Sequence, residues 1–346
     1  MKRHPQNPII KPADIVPSSP ELKVIGAFNP AAIFHDGRVH LLVRVAETAI
    51  CAKDEVATLQ WLPTPEGGKL DCQCYSKSDN TLDLRDSRYI RRGGKTYLSS
   101  ISHLRLAISD DGVNFKIGDK PFLAASNETE AYGVEDARIT KLEDRYYINY
   151  TAVSRDSWYT NMMSTVDFQI QEHHGIIFPP QNKDVSLFPR KINGHYAALH
   201  RPHNFDFGEP SIWYAESPDL IHWGKHRCIL RPEGRYAEQR IGGGPPCIET
   251  PEGWLHIYHA ADEKSTYRLF TVLLDLECPW KVIKQASRPL LEPQEKYETH
   301  GFFPGVVFSN GIATLPDGRI LLYYGAADET VAVCETSLPE LLASLN

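Results

Sequence analysis

Apolar and polar positions alternate in short runs along this chain, and the runs come in pairs around a turn. AAIFHDGRVHLLVRV (31–45), SRYIRRGGKTYLSSI (87–101), ARITKLEDRYYINYTAV (137–153), SLFPRKINGHYAALH (186–200), PCIETPEGWLHIYHA (246–260) and GIATLPDGRILLYYG (311–325) carry β-branched and aromatic residues at a two-residue period. Their turns fall at Gly37, Gly94, Asp144, Gly194, Gly253 and Gly318, so each pair reads as a β-hairpin. A recurrence of about 50–65 residues is that of a repeated sheet. Third strands follow several hairpins, in LRLAISDDGVNF (104–115), SIWYAESPDLIHW (211–223) and YRLFTVLLDLECPW (267–280). Helical periodicity is scarce. The pattern predicts an all-β propeller of four-stranded blades whose inner strands converge on a central funnel. It does not choose between five blades and six.

Residues 46–86, rich in Lys, Asp, Pro and Gly, break this rhythm and read as an insertion. The 87–101 hairpin goes with it, so that about 46–103 is an excursion and the chain returns to its first blade at 104. The tail SLPELLASLN (337–346) predicts a short capping helix, with Ser337 as N-cap and Pro339 in the first turn. A chain of 346 residues fits a single propeller domain, 1–346.

Composition narrows the partners. A net charge of -7 argues against a nucleic-acid partner, while leaving room for a local basic pocket. No run approaches the ~18 apolar residues that span a bilayer, and MKRHPQNPII has no apolar signal core. Membrane association is therefore not expected. The seven cysteines form no CxxC pair, and Cys72 and Cys74 are too close together for a zinc pattern. Reduced, mostly buried thiols in a cytoplasmic protein are expected. The 14 histidines never fall in HExxH, and no metal or cofactor is expected. The oligomeric state, a homo-oligomer included, stays open.

In a propeller the residues next to the innermost strands face the funnel. Those positions hold Asn29, Glu135-Asp136, Lys183-Asp184 and Arg240, the last followed by Gly242, Gly243 and Gly244. The outgoing strands add Arg44, Arg201, and His259 with Asp262. A single charge at a strand end is ordinarily a solvated or ion-paired group. Acids and bases at equivalent points of successive repeats instead converge on one place. The glycine run lacks GK[ST] and a following helix, so it is close-packed backbone and not a nucleotide loop.

GVEDARI (133–139), NKDVSLFPRKINGHYAALHRP (182–202), RIGGGPPCIETPEGWLHIYHA (240–260), VVFSNG…LLYYGAADETVAV (306–333) and FNPAAIFHDGRVHLLVRVAE (28–47) resemble glycoside hydrolase family 130, from about residue 7 to 335. The resemblance implies a five-bladed propeller. It implies an inverting phosphorylase of β-mannosides, with an inverting β-1,2-mannosidase as the alternative and a non-catalytic sugar-binding propeller as a third reading. Asp136 falls at the family's catalytic acid, in an Asp-Pro-Arg motif where this chain has Ala137. The acid is implied to protonate the glycosidic oxygen through the 3-hydroxyl of the transferred mannose, a role that asks for a raised pKa, to which Glu135 and burial would contribute.

Lys183, Arg201, Arg240 and His259 fall at the family's phosphate positions. A cation cluster suits phosphate, which must be held against an anomeric carbon beside an acid, and is superfluous for a neutral sugar. Phosphorolysis is favoured on that ground, with inorganic phosphate as co-substrate. Asn29, Arg44, Arg138, Tyr150, Tyr258 and Asp328 are the sugar-binding candidates, with Tyr132 and His200 also considered. For the hydrolase, Glu209 or Glu238 would be the base. SHLRLA and VRVAE look most like members acting on β-1,2-linked mannose, so β-1,2-mannobiose or a short β-1,2-oligomannan is the first substrate. Some relatives carry an acid near Phe302, where this chain reads GFFPGV.

Overall fold

The computed structural model describes residues 1–65, 67–86, 88–203 and 207–345. The first position of the 87–101 hairpin and the last of the 337–346 tail lie outside them. The described chain is nearly all β, with two short α-helices, Lys296–Thr299 and Leu338–Ala343. The second is the expected C-terminal cap: the Ser337 hydroxyl accepts from the Glu340 N–H, and a proline sits in the first turn.

Antiparallel meanders follow one another along the chain. The first comprises Leu22–His35, Arg38–Ala49, Ile101–Ser109 and Lys116–Ile117. The second is Gly133–Leu142, Arg145–Val153, Trp158–Thr165 and Glu172–Phe178, and one parallel bridge, Gly133 to Ser102, joins it to the first. The third is Asn182–Leu187, Tyr196–Pro202, Ile212–Ser217 and Gly224–Leu230. The fourth is Arg240–Gly243, Gly253–Ala261, Tyr267–Leu274 and Val282–Gln285, with Ile248–Thr250 beside its second strand. The fifth is Val307–Thr314, Arg319–Ala326 and Thr330–Ser337, completed at its edge by the N-terminal Lys2–Arg3. Arg3 is fixed there by two bonds to the buried Glu298 carboxylate, at 2.7 and 2.9 Å.

Apolar faces of neighbouring meanders pack together. Leu42 and Leu104 meet Val134 and Ile148, and Met162 meets Val185 and Ala198. Phe188 and Tyr214 meet Trp254 and Phe270, and Leu255 and Leu269 meet Leu322 and Ala332. Val43 and Val45 of the first meander lie in one cluster with Tyr323 and Val331 of the fifth, so the chain's end packs on its beginning.

The innermost strands share an irregularity. In the first, second, third and fifth meanders the pairing with the second strand skips two residues: Phe28 faces Arg44 and Ala31 faces Leu42; Glu135 faces Thr151 and Arg138 faces Asn149; Lys183 faces Arg201 and Ser186 faces Leu199; Phe308 faces Gly325 and Gly311 faces Tyr323. The first skipped residue is left-handed in three of them, with φ of 46° at Asn29, 49° at Asp136 and 54° at Asp184. Asn and Asp are the non-glycine residues that adopt this conformation most readily. Such bulges re-aim a side chain out of the strand.

The excursion consists of a hairpin, Glu55–Leu62 with Lys69–Ser76, and a small sheet, Leu82–Asp83, Tyr89–Arg92 and Lys95–Leu98. The chain then pairs Ile101–Ser109 directly with Arg38–Ala49. The excursion corrects the expectation of reduced, mostly buried thiols. Its hairpin folds Cys74 back to the end of the preceding strand, where it is disulfide-bonded to Cys51. Of the other cysteines, Cys72 is exposed, Cys228 and Cys278 are half-buried, and Cys247 and Cys334 are buried. Among the described residues no helix is long and apolar enough to cross a membrane.

Candidate active site

The bulges and their register partners surround a cavity of about 200 Å³. Residues opposite the bulge, or at the matching register, supply Arg44, Arg201 and, in the fourth meander, His259, which faces Gly242. The bulges supply Asn29, Asp136 and Asp184. Lys183, Arg240, Asp328, Glu135 and Arg88 add to the polar lining, with Phe28, Tyr267, Phe302, Phe303 and Phe308 as apolar wall.

Asp136 is held from two sides. Asn29 Nδ2 donates to its Oδ1 at 3.0 Å and Arg44 Nη1 to the same oxygen at 3.1 Å. Arg44 also donates to Glu135 at 2.8 Å and to Ser102 at 3.0 Å, and stacks over Phe28. Gly325 makes room for this arrangement, since a methyl group there would overlap Asn29 Oδ1. Burial raises the Asp136 pKa, but Arg44, Arg138 and Lys183, with the Asn29 bond, outweigh it and hold the carboxyl below its ordinary value. The expected elevation is therefore not found, because three cations act on this carboxyl. The elevated carboxyl is Asp328, pushed up to about 6 by burial and by its acidic neighbours Asp136 and Glu135 against the pull of Arg44 and Arg88.

Asp184 organises the cations. Its Oδ2 accepts from Arg201 Nε at 2.6 Å, its Oδ1 from Arg138 Nη2 at 3.2 Å, and His259 Nε2 lies 3.5 Å away. Burial disfavours this carboxylate, yet Arg201, His259, Arg138 and Lys183 keep it ionised. Gly242 and Gly243 are required here, since a Cβ on either would strike Asp184. Buried without a hydrogen-bond partner among the described residues are two donors, Arg201 Nη1 and Arg240 Nε, and one acceptor, His259 Nδ1, since the single N–H of that ring faces Asp184 from Nε2. Buried donors of this kind are costly unless a ligand satisfies them. Burial lowers the Lys183 pKa, helped by Arg201, and lowers that of His259 to about 3, so His259 is a neutral imidazole at neutral pH. The set is three cations and one neutral ring, where the sequence suggested four basic groups.

Three expected sugar contacts lie elsewhere. Arg138 is fully buried beneath the cavity, donating to the carbonyls of Asp136 (2.9 Å), Gly243 (2.8 Å) and Gly244 (3.3 Å), so it positions backbone. Tyr150 donates to the buried Glu130 at 2.8 Å, and Tyr258 accepts from Gln285 at 2.9 Å while stacking on Phe270. Both belong to the packed core because they point away from the bulged edge. His200 bonds Asn182 and His226 on another face. Glu209 and Glu238 are exposed and outside the cavity lining. Sequence reasoning placed Asp184 at the funnel but gave it no role; its place in the same kind of bulge as Asn29 and Asp136 is the signal that marks it. That reasoning passed over Tyr267 and the excursion residues Arg88 and Tyr89, which carried no signal short of the fold.

The sequence model of glycoside hydrolase family 130, described as beta-1,4-mannooligosaccharide phosphorylase, matches residues 90–346. The chain belongs to glycoside hydrolase family 130. Among its family relatives, a beta-1,2-mannobiose phosphorylase of Listeria innocua is 42% identical over 99% of this chain and 98% of its own. The structure of that enzyme in complex with beta-1,2-mannobiose superimposes with a TM-score of 0.94 at 41% identity, over 99% of this chain and 98% of the other. A 1,2-beta-oligomannan phosphorylase of a Thermoanaerobacter species is 34% identical over 99% and 98%. The family members matched over nearly their whole length thus share both the chain's extent and its architecture.

Proposed function

We propose that this protein is an inverting phosphorylase of β-1,2-linked mannosides, built as a five-bladed β-propeller. Five meanders in sequence, with the fifth packed on the first, support the blade count. The observation that carries the chemistry is the pair of unsatisfied buried donors on Arg201 and Arg240, beside Lys183 in the cavity that also holds Asp136. A phosphate dianion accepts from such a set and a neutral sugar does not need it. Relatives named as β-1,2-mannobiose and 1,2-β-oligomannan phosphorylases support the substrate class.

In this reading Asn29, Arg44 and Asp328 bind the mannose to be transferred. A phosphate oxygen forms a bond to C1 as the bond from C1 to the glycosidic oxygen breaks. Asp136 supplies the proton to the departing oxygen through the mannose 3-hydroxyl. The products are α-mannose 1-phosphate and an acceptor shortened by one mannose. Inversion follows from a single displacement. A hydrolase would need a free carboxylate to activate water; Glu135 and Asp184 are committed to Arg44 and to Arg201 and Arg138. Incubation with β-1,2-mannobiose, with and without inorganic phosphate, tests the proposal by NMR of the products. Phosphate-dependent α-mannose 1-phosphate is expected; free mannose released equally fast without phosphate would sink it.

A further inference from the structure

The Cys51–Cys74 disulfide closes the root of the excursion, and the excursion reaches the active cavity, where it supplies Arg88, Tyr89 and Leu98 to the wall. This part of the wall has little core of its own. Glu55–Leu62 buries Ala57, Thr58 and Leu59, Lys69–Ser76 buries no residue, and the small sheet buries only Ile90 among its described residues. Its hold on the body is a small apolar cluster, Ala57 and Leu59 against Leu22, Ala49 and Ile101, with hydrogen bonds such as Trp61 N–H to the Ala131 carbonyl at 2.7 Å and the Tyr132 hydroxyl to the Thr96 carbonyl at 3.3 Å. Segments with so few buried apolar contacts open locally at small cost. A covalent tie counts for more there than in a packed sheet.

The tie runs to the cavity through adjoining residues. Cys74 is followed by Tyr75, whose ring lies 4.8 Å under the Arg92 guanidinium. Arg92 ends the strand Tyr89–Arg92, and Arg88, just before that strand, lies 4.9 Å over the Phe303 ring of the cavity wall. At its other end, Cys51 follows Arg38–Ala49, the strand that carries Arg44. One bond thus joins the strand that presents Arg44 to Asp136 with the hairpin on which the small sheet rests. The bond is also accessible, since Cys74 is exposed and Cys51 half-buried. A thiolate that attacks the Cys74 sulfur forms a mixed disulfide and releases Cys51 as a thiolate, which takes up a proton. The second thiol of a dithiol reductant then attacks the sulfur of the first and releases Cys74 in the same way. Two electrons and two protons pass to the protein, which ends with two thiols, and the dithiol ends as its own disulfide.

We infer that the Cys51–Cys74 pair is a redox site that controls the excursion's side of the active cavity: the disulfide holds Arg88 and Tyr89 in place, and a dithiol frees them. Its effect on turnover rests on the proposed phosphorolysis, whereas its effect on the order of the excursion does not. Amide hydrogen exchange read by mass spectrometry compares the oxidised protein with the same protein in dithiothreitol. Peptides within 88–99 are expected to exchange at least about tenfold faster once reduced, with the five meanders unchanged. The kcat/KM for phosphorolysis of β-1,2-mannobiose is expected to fall at least about threefold on reduction, through KM, and to return on reoxidation. Cys51→Ser and Cys74→Ser should behave as the reduced protein with or without dithiol, and Cys72→Ser as the wild type. Equal exchange in the two redox states overturns the inference whether or not substrate is turned over. Faster exchange with an unchanged kcat/KM overturns the control of the cavity. Failure of the reaction assignment shows separately, as no phosphate-dependent turnover in either state, and the exchange at 88–99 then decides the redox site.

Discussion

Arg44, Arg138 and Lys183 outweigh burial and hold the Asp136 carboxyl below its ordinary pKa, yet the proposed chemistry requires it to give up a proton. Phosphate itself resolves the conflict. Arg44 Nη1 lies 3.1 Å from Asp136 Oδ1, and at an effective dielectric of about 20 a single charge at that range contributes about 5 kcal/mol. A dianion held among Lys183, Arg201 and Arg240 acts with the opposite sign, by about 5 kcal/mol were its two charges about 7 Å from the carboxylate. Its arrival therefore cancels about one guanidinium's hold on the carboxylate, and the proton affinity of Asp136 rises. Binding of a dianion is expected to be accompanied by proton uptake, so that the acid carries its proton only when its nucleophile is in place.

Calorimetry with sulfate, a dianion that does not itself titrate in the neutral range, measures this. Titrations at about pH 6 in two buffers of different ionisation enthalpy give the protons taken up per sulfate through linkage. An Asp328→Asn background removes the other carboxyl that titrates near this pH. In that background the protein with Asp136 should take up more protons than the Asp136→Asn double variant. Equal uptake in the two, or no sulfate binding at the cation cluster, refutes the reasoning.

Two further outcomes follow from named contacts. The folded-state pKa of Asp328, about 6 against an ordinary 3.8, means that the folded protein holds this proton more tightly than the unfolded chain, so the stabilisation is present at low pH and lost as pH rises through about 6. Asp328→Asn should raise Tm at neutral pH, by at most about 3 kcal/mol of stability because Asp328 is partly open to the cavity, with the gap closing below about pH 4; thermal unfolding across pH reports it, and a destabilised variant at pH 7 would contradict it. Gly325→Ala places a methyl group against Asn29, 2.8 Å from its backbone nitrogen; displacing Asn29 from Asp136 should lower kcat at least about tenfold, alongside a stability loss of about 1–3 kcal/mol, and an unchanged kcat measured by initial rates would disprove the link.

The strand repeat was legible because hairpins announce themselves locally: Gly37, Gly194 and Gly318 sit in left-handed turns between alternating runs. The excursion was legible as a break in that rhythm. Its disulfide was not, since the pairing of Cys51 with Cys74 depends on how one hairpin folds back. At the site, residue identity was readable and electrical state was not. Asp136 was found by its place in a motif, whereas the sign of its shift depends on Arg44, 92 positions away, and on Lys183 and Arg138 around it. The elevated pKa settled instead on Asp328, which no local pattern distinguishes from any other strand-end aspartate.

Tyr150 and Tyr258 show the converse error. Aromatic residues on inner strands are plausible sugar platforms by composition, but a strand presents successive side chains to opposite faces, and these two face neighbouring meanders with their hydroxyls already bonded to Glu130 and Gln285. The positions that do reach the cavity are the first bulged residue, the residue before it and, in the first and third meanders, that residue's partner on the second strand, Arg44 and Arg201. Phe28-Asn29, Glu135-Asp136 and Lys183-Asp184 are three copies of one local device, a residue followed by a left-handed Asn or Asp, and each copy has been given a different task. Asn29 donates to Asp136, Asp136 is the proposed acid, and Asp184 ties Arg201 beside His259. The same backbone constraint that admits only Asn or Asp cheaply at the bulge thus also places short polar groups, repeat after repeat, where the meanders meet. Asp184, the copy with no bond to Asp136, holds Arg201 by Nε and leaves its Nη1 without a partner among the described residues at the cavity.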